Sequence, residues 1–154
     1  MNEKERIAYF YEVVVSENRL DQLPQFVSED CVQVVGKETV FLGLEGMGKH
    51  LAAVRETYPD YTMKLVRQYM DGAYVISEFV MEGTLKGAFA GIQPTGEKLV
   101  FTGVNIDKVA DGKIVEHGGV VNTFETFLEH GLIGPVSAAG DPTAFPEGTA
   151  GGGE

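Results

Sequence analysis

Cysteine is almost absent from this chain, in which Cys31 is the only one among 154 residues. A single thiol has no partner for an internal disulfide, so the sequence gives no support for an oxidising compartment. Cys31 also lacks the second cysteine of a CxxC motif. We therefore expect it to be a buried core thiol that takes no part in chemistry.

Histidine is scarce as well, with only His50, His117 and His130 in the chain. None of them is spaced like the zinc ligands of an H-x-x-x-H motif, and we expect His50 and His130 to be solvated near helix ends. The chain contains no G-x-S-x-G or G-x-G-x-x-G motif, and GLEGMGK at 43–49 departs from a phosphate loop. These observations predict a protein that needs neither a metal nor a cofactor.

Positive charge is limited to 12 lysines and arginines against 23 acidic residues, which gives a net charge of −11. Such a surface repels phosphate backbones and anionic lipids, so we expect neither nucleic acid nor a membrane as a partner. No apolar run approaches the roughly 20 residues that a membrane-spanning helix needs. The N-terminus lacks the basic flank and apolar stretch of a signal peptide, and we expect a cytoplasmic protein.

Helical periodicity marks the first third of the chain. Asn2 and Glu5 have the spacing of a capping box, and apolar residues then recur every three or four positions. A short helix is expected within 18–26 and a longer one over 45–57. Between these two helices, the apolar residues at 31–35 predict a strand.

Apolar and polar residues alternate between residues 60 and 121, with the period of β-strands. Asp-Gly pairs at 71–72 and 111–112 predict hairpin turns, and a last short helix follows. Helices followed by consecutive antiparallel strands are typical of an α+β fold. We expect one domain over 1–133 and a tail rich in glycine, proline and alanine over 134–154.

Five short motifs occur along the chain in a fixed order. They are GLEG at 43–46, Tyr58-Pro59-Asp60, Gly83-Thr84, GAFAGIQPTGEK at 87–98 and DGKIVEH at 111–117. In spelling and order, this set resembles the SnoaL-like polyketide cyclase (ester cyclase) family of the NTF2-like superfamily, over roughly residues 5–133. The resemblance implies a cone in which a strongly curved antiparallel sheet wraps N-terminal helices and leaves an internal pocket. It also implies a small hydrophobic molecule as ligand and a homodimer formed through the outer sheet face.

The resemblance also assigns roles to single residues, and here the chain departs from the family. In the cyclases, an aspartate two residues after the histidine of the last motif carries the acid–base chemistry, and the matching position is Gly119. A family histidine on the preceding strand corresponds to Asn105, and an amide on the first strand corresponds to Gln33. We therefore expect a pocket without its customary carboxylate, in which His117 and Asp107 are the candidate catalytic residues.

Strand alternation assigns further side chains to the pocket. If Asn105 points inward, then Phe101 and Asp107 do so too, and Val115 shares the inner face with His117. The residues expected to contact a ligand are Gln33, Asn105, Phe101, Tyr74, Met47, Leu51, Gly119 and Val121. Both candidate catalytic residues also have ordinary alternatives, in which His117 binds a backbone carbonyl and Asp107 faces water at a strand edge.

Three functions remain open on the sequence. The first is cofactor-free acid–base chemistry, of cyclase or isomerase type, on a hydrophobic carbonyl compound. The second is a non-catalytic protein that binds a hydrophobic ligand, which the glycine at position 119 favours. The third is a dimeric interaction module, whose interior would be filled by Phe101, Tyr74 and Met47, whereas an open cavity with His117 at its base would favour the first two.

Overall fold

The computed structural model describes residues 1–136, which form four α-helices and one six-stranded sheet. The helices are α1 (Glu3–Tyr9), α2 (Leu23–Phe26), α3 (Gly43–Thr57) and α4 (Thr123–Glu129). The strands are β1 (Val27–Val35), β2 (Glu38–Phe41), β3 (Thr62–Asp71), β4 (Tyr74–Thr84), β5 (Lys98–Ala110) and β6 (Lys113–Val121). The α+β class is confirmed, and the expected tail lies almost entirely outside the described residues. Within residues 1–136, no helix has both the length and the apolar character needed to cross a membrane.

The first helix begins where the sequence predicts and then widens. The Asn2 side-chain oxygen accepts a hydrogen bond from the backbone N–H of Glu5, and the Glu5 carboxylate accepts one from the backbone N–H of Asn2, both at 2.9 Å. Beyond α1, the chain continues as a π-helical turn over Phe10–Val15, which the periodicity did not predict. Such turns are rare in proteins, and those that occur often lie at functional sites. Here the turn carries Tyr11 into the protein interior, where it is almost fully buried.

The sheet has the strand order β2-β1-β6-β5-β4-β3. Four of its five strand pairs are antiparallel, but β1 pairs with β6 in parallel, so the expectation of a wholly antiparallel sheet is wrong at that pair. Strand β1 begins at Val27, earlier than expected, and β2 was not expected at all. Parallel strands are far apart in sequence and are not joined by a tight turn, so no turn motif predicts that they pair.

Both predicted hairpins are present. The chain turns at Gly72 and at Asp111-Gly112, and these three residues have φ angles of 57°, 52° and 75°. The two-residue loops are Gly72-Ala73 and Asp111-Gly112. Positive φ in such a loop matches the right-handed twist of the flanking strands, which explains the glycine at position 72 and the Asp-Gly pair at 111–112. The hairpins place β3 beside β4 and β5 beside β6, and these pairs hold the site described below.

A bulge in β6 resets its alternation. Pairing with β5 shifts register between Ile114 and Glu116, which leaves Val115 without a partner. Ile114 is consequently the fully buried residue of this segment, and the expectation that Val115 shares the inner face with His117 is wrong. Because one extra residue inverts the order of faces, the bulge decides which side of the sheet His117 occupies.

The core lies between the inner face of the sheet and the helices, and strand β5 runs through its centre. Alternate residues of β5 are buried along almost its whole length. Most of them are apolar, but two inward positions carry Asn105 and Asp107, which are 9% and 0% exposed. Buried polar groups require partners or a function, so these two positions locate the candidate site.

Candidate active site

A cavity of about 90 Å³ opens between α3, the π-helical turn and the inner face of the sheet. Its wall is mostly apolar, as in pockets that bind small hydrophobic molecules. The residues of the wall that carry polar groups are Tyr11, His50, Tyr61, Asn105 and His117. The interior is therefore not filled by its own side chains, as an interaction module would require.

Helix α3 supplies one side of this cavity. Met47, His50, Leu51 and Val54 lie in the wall, and their spacing of three and four residues places them on one face of the helix. Val121, near the end of β6, lines the cavity from the sheet side. Met47, Leu51 and Val121, which we expected to contact a ligand, thus lie where a ligand can reach them.

Three side chains meet at the base of the cavity and form the Tyr11–Asp107–His117 cluster. Asp107 and His117 stand directly opposite each other on β5 and β6, and their side chains share one face. His117 Nδ1 lies 2.7 Å from Asp107 Oδ1, and the Tyr11 hydroxyl donates to Asp107 Oδ2 at 2.7 Å. The Tyr11 hydroxyl oxygen also lies 3.2 Å from His117 Nδ1. Both carboxylate oxygens of Asp107 are thereby satisfied, although the residue has no contact with water.

The cluster fixes how the imidazole of His117 is oriented and protonated. An ionised carboxylate only accepts hydrogen bonds, so the Nδ1 facing Asp107 carries a proton. In the neutral ring this leaves the lone pair on Nε2, and within residues 1–136 no group bonds to that nitrogen. The side chain is 12% exposed and lies in the cavity wall. Nε2 is therefore the one nitrogen of His117 left for a ligand.

Burial keeps the neighbouring groups of the cluster protonated. The pKa of Tyr11 is raised well above its usual value, first by burial and then by the charge of Asp107 and the hydrogen bond to it. Tyr11 therefore remains a donor to the carboxylate at any ordinary pH. Burial, followed by the charge of Asp107, raises the pKa of Cys31 to about 11. Cys31 is fully buried, in agreement with the core thiol expected from the sequence.

The neighbouring pair of residues, Asn105 and Gly119, has a different character. The Asn105 side chain lies in the cavity wall, and its amide finds no hydrogen-bond partner in the part of the chain that the structure describes. Gly119 has φ near 140°, and a Cβ added there would lie 2.2 Å from the carbonyl oxygen of Val104. This backbone excludes any side chain at position 119. The carboxylate implied by the family resemblance is thus absent, and the local geometry leaves no space for one.

Several expected contacts are absent from the cavity. Tyr74 lies on the outer face, where its hydroxyl donates to Glu116 at 3.1 Å, so the expectation that it contacts a ligand is wrong. Phe101 points inward, but its ring packs edge-on against Tyr58 and Phe127 in the core and not in the cavity wall.

Three further residues differ from expectation in their surroundings. Gln33 lies directly opposite His117 on β1 and is half-buried, but it stands outside the wall of the cavity, as does Gly119. Asp107 does not face water at a strand edge, because β4 and β6 flank it on both sides.

Two residues of the site escaped the sequence analysis. Tyr11 belongs to the apolar residues that recur along the first predicted helix, and nothing in that pattern predicts the partner of its hydroxyl. His50 was expected to be solvated near a helix end. It is exposed, as expected, but it lies in the middle of α3 and also lines the cavity. Desolvation by the surrounding protein, followed by the charge of His117, lowers the pKa of His50, although the residue as a whole is exposed. The sequence did contain a signal for this position, because His50 lies three residues after Met47 and one before Leu51 and so falls on the same face of the helix.

Comparison with protein families identifies the class of protein to which the chain belongs. The family model of the SnoaL-like polyketide cyclases matches residues 5–129. The chain belongs to the SnoaL-like polyketide cyclase family, and its fold is the NTF2-like cone. Membership supports a small-molecule role of cyclase or isomerase type.

Solved structures agree with this assignment. IdmH of Streptomyces antibioticus, a proposed polyketide cyclase, is 24% identical over 85% of this chain and 99% of its own, with a TM-score of 0.73. AclR of Streptomyces galilaeus, a proposed hydroxylase, is 27% identical over 86% and 89% of the two chains, with a TM-score of 0.69. An LEH-like epoxide hydrolase of M. tuberculosis is 16% identical over 82% and 86%, with a TM-score of 0.63. No curated protein matches the chain.

Proposed function

We propose that the protein catalyses cofactor-free acid–base chemistry, of cyclase or isomerase type, on a small hydrophobic carbonyl compound. His117 removes a proton from the carbon next to the carbonyl group. The C–H bond breaks, the proton passes to Nε2, and the electron pair remains on the substrate as an enolate. His117 then returns the proton to the substrate or its product. The observation that carries this proposal is the 2.7 Å contact from Nδ1 to Asp107 beside an open cavity, which leaves Nε2 free.

Asp107 acts through His117 and is therefore a positioning residue. Its carboxylate holds Nδ1–H and stabilises the imidazolium that forms when Nε2 accepts a proton. The Tyr11 hydroxyl holds the second carboxylate oxygen, so the carboxylate cannot turn away from the ring. Asn105 offers its free amide to a ligand oxygen from the neighbouring position on β5. An apolar wall strengthens each of these electrostatic interactions by excluding water.

A second candidate function is binding without catalysis. The glycine at position 119 favours it, because the family's acid–base carboxylate is missing there. The two functions predict the same ligand class and the same cavity. They differ in whether the carbon next to the carbonyl group loses its proton.

Deuterium exchange separates the two functions without knowledge of the natural substrate. Cyclopentanone in deuterium oxide exchanges its acidic protons when a base forms the enolate, and proton NMR follows the loss of signal. We expect the wild-type protein to accelerate exchange and His117→Gln to lower the rate by about 100-fold or more. His130→Gln is the matched control, because His130 is exposed and lies 3.6 Å from Glu97, outside the cavity.

Each outcome of this experiment is decisive. Exchange that is equal in wild type and His117→Gln would contradict the assigned base. Cyclopentanone that binds in the cavity, with no exchange above the buffer rate, would establish the binding protein in place of the enzyme.

We also propose that two copies pair through the outer sheet face. The support is a set of exposed apolar side chains on that face, which are Tyr69, Tyr74, Val100, Ile106 and Val120. Val120→Asp would place a charge at the most exposed of them, and we expect light scattering to show a dimer for wild type and a monomer for the variant. Phe124→Asp, on α4 and also exposed, is the control that should remain dimeric. A monomeric wild-type protein would contradict the proposal.

A further inference from the structure

His50 is placed to act on the same ligand as His117. Within the cavity-facing stripe of α3, it is the one titratable residue among Met47, Leu51 and Val54. Its ring bonds to no group within residues 1–136, so both ring nitrogens are free for a ligand. His117 faces the same cavity from the opposite side, on the sheet, with Nε2 free. Two imidazoles with unused nitrogens therefore share one small space.

The size of the cavity brings the two histidines within reach of a single small molecule. Both rings line the same cavity of about 90 Å³, which is the scale of a small ring or a short carbon chain. The two side chains are also near enough for the charge of His117 to act on the pKa of His50. A small molecule whose reacting carbon lies at His117 Nε2 therefore has the α3 wall as a neighbour. One of the polar groups on that wall is His50.

We propose that His50 is a second catalytic residue, whose neutral ring donates an N–H hydrogen bond to the carbonyl oxygen of the substrate while His117 takes the adjacent proton. This inference rests on the proposed function. As the C–H bond breaks, its electron pair moves into the new C=C bond and the carbonyl pair moves onto oxygen. His50 stabilises that developing negative charge and keeps its own proton, so the only proton transferred is the one that reaches His117.

The protonation state of His50 fits this role. Although the residue is exposed as a whole, desolvation by the surrounding protein and the charge of His117 both lower the pKa of His50, so the neutral ring prevails at neutral pH. A neutral imidazole keeps one N–H donor. Its acidity is also closer to that of an enol than an imidazolium's would be, and neutral histidine serves as the carbonyl-polarising group in other enolising enzymes.

Two contact points on adjacent atoms define the substrate class. The compound must be an enolisable ketone, with an acidic C–H group at His117 and its oxygen at His50. A fused-ring compound exceeds the enclosed space, so only its reacting end would enter. The remainder would extend out of the cavity beside His50, which is exposed.

The test uses cyclopentanone exchange with kcat and KM measured separately. We expect His50→Phe to lower kcat by about 10- to 100-fold with KM changed less, because a donor that acts on developing charge stabilises mainly the transition state. His50→Gln keeps an N–H donor and should recover part of the loss. His130→Phe should match wild type.

A second measurement does not depend on any variant folding correctly. In wild-type protein, the ring C–H signals of His50 should shift when cyclopentanone is added, whereas those of His130 should not. If His50→Phe keeps full kcat while His117→Gln is inactive, or if the His50 signals do not move, His50 has no such role and the proposed function still stands. If the wild-type protein shows no exchange, both proposals fall.

Discussion

Two successive inward-facing residue pairs on β5 and β6 accommodate polar groups in an apolar core in opposite ways. At the first pair, Asp107 and His117 bond to each other and to Tyr11, and the carboxylate is fully buried. At the second pair, the Asn105 amide has no partner within residues 1–136, and Gly119 contributes only backbone. The first pair is internally complete, and the second is open to a ligand.

The comparison also explains how a cavity of this family can lack its usual carboxylate. The resemblance places a histidine and an aspartate at the pair that is Asn105 and Gly119 in this chain. Here a carboxylate and a histidine occur together at the next inward-facing pair, Asp107 and His117, where they hydrogen-bond. The chemical groups needed for acid–base work are thus present at the cavity, but on different positions. His117 lies in the cavity wall, and Asp107 is buried and hydrogen-bonded to it.

The largest effect is expected from Asp107→Asn, which breaks the complete pair. Tyr11 and His117 Nδ1–H both donate to Asp107, and an amide can accept from only one of them. The amide N–H would instead favour the tautomer with the proton on Nε2, which removes the base. We expect cyclopentanone exchange to fall by about 100-fold or more.

Asn105→Ala is the matched change at the open pair. It removes an amide that makes no bond within the described residues, so the free energy of unfolding should change by less than about 1 kcal/mol. Urea unfolding measures the stability of both variants. Equal losses in Asp107→Asn and Asn105→Ala would contradict the difference between a hydrogen-bonded first pair and an unbonded second pair.

The next effect is expected from Gly119→Asp, which restores the family carboxylate. The residue would have φ near 140° and its Cβ would lie 2.2 Å from the Val104 carbonyl oxygen. Backbone strain of this kind costs roughly 1–3 kcal/mol, and the steric overlap adds to it. We expect lower stability in thermal unfolding and no gain in exchange rate. Gly119→Ala should lose a similar amount, and a faster enzyme in Gly119→Asp would show that the position still accepts a carboxylate.

Tyr11→Phe should have a smaller effect, because it removes one hydrogen bond from the complete pair. Bonds to charged groups contribute about 1.5–3 kcal/mol, and the free energy of unfolding should fall by that amount. Tyr58→Phe is the control, since Tyr58 is also buried but its hydroxyl has no partner within residues 1–136. If the two variants are equally stable, the Tyr11 hydroxyl does not support Asp107.

The smallest effect concerns Cys31, whose thiol senses the charge of Asp107. Its pKa of about 11 should fall when Asp107→Asn removes that charge, although burial, the larger cause, remains. Ultraviolet absorption of the thiolate, followed as a function of pH, measures this pKa. An unchanged pKa of Cys31 in Asp107→Asn would mean that the charge of Asp107 does not act on the thiol. The stability that the neutral thiol contributes is present below its usual pKa of 9.0 and is lost as the pH rises through about 11.

Local chemistry made much of the fold predictable from the sequence. The capping box at Asn2 and the turn at Asp111-Gly112 depend on residues a few positions apart, and both occur as predicted. The parallel pairing of β1 with β6 and the bulge at Val115 depend on distant segments, so periodicity could not reveal them.

The same division holds at the candidate site. Strand alternation brought Asp107 and His117 to one face, but their hydrogen bond depends on the register between β5 and β6. Tyr11 meets them from a π-helical turn, and His50 lines the same cavity from α3, which packs across it. Side chains that meet through tertiary packing leave little trace in a single sequence.

The most direct test of the account is the tautomer of His117 in the free protein at neutral pH. Long-range proton–nitrogen NMR correlation of the ring distinguishes a protonated Nδ1 from a protonated Nε2. We expect the neutral ring to carry its proton on Nδ1, toward Asp107, with Nε2 bare and facing the cavity. A proton found on Nε2 would mean that Asp107 does not hold the ring as described, and His117 could not be the base.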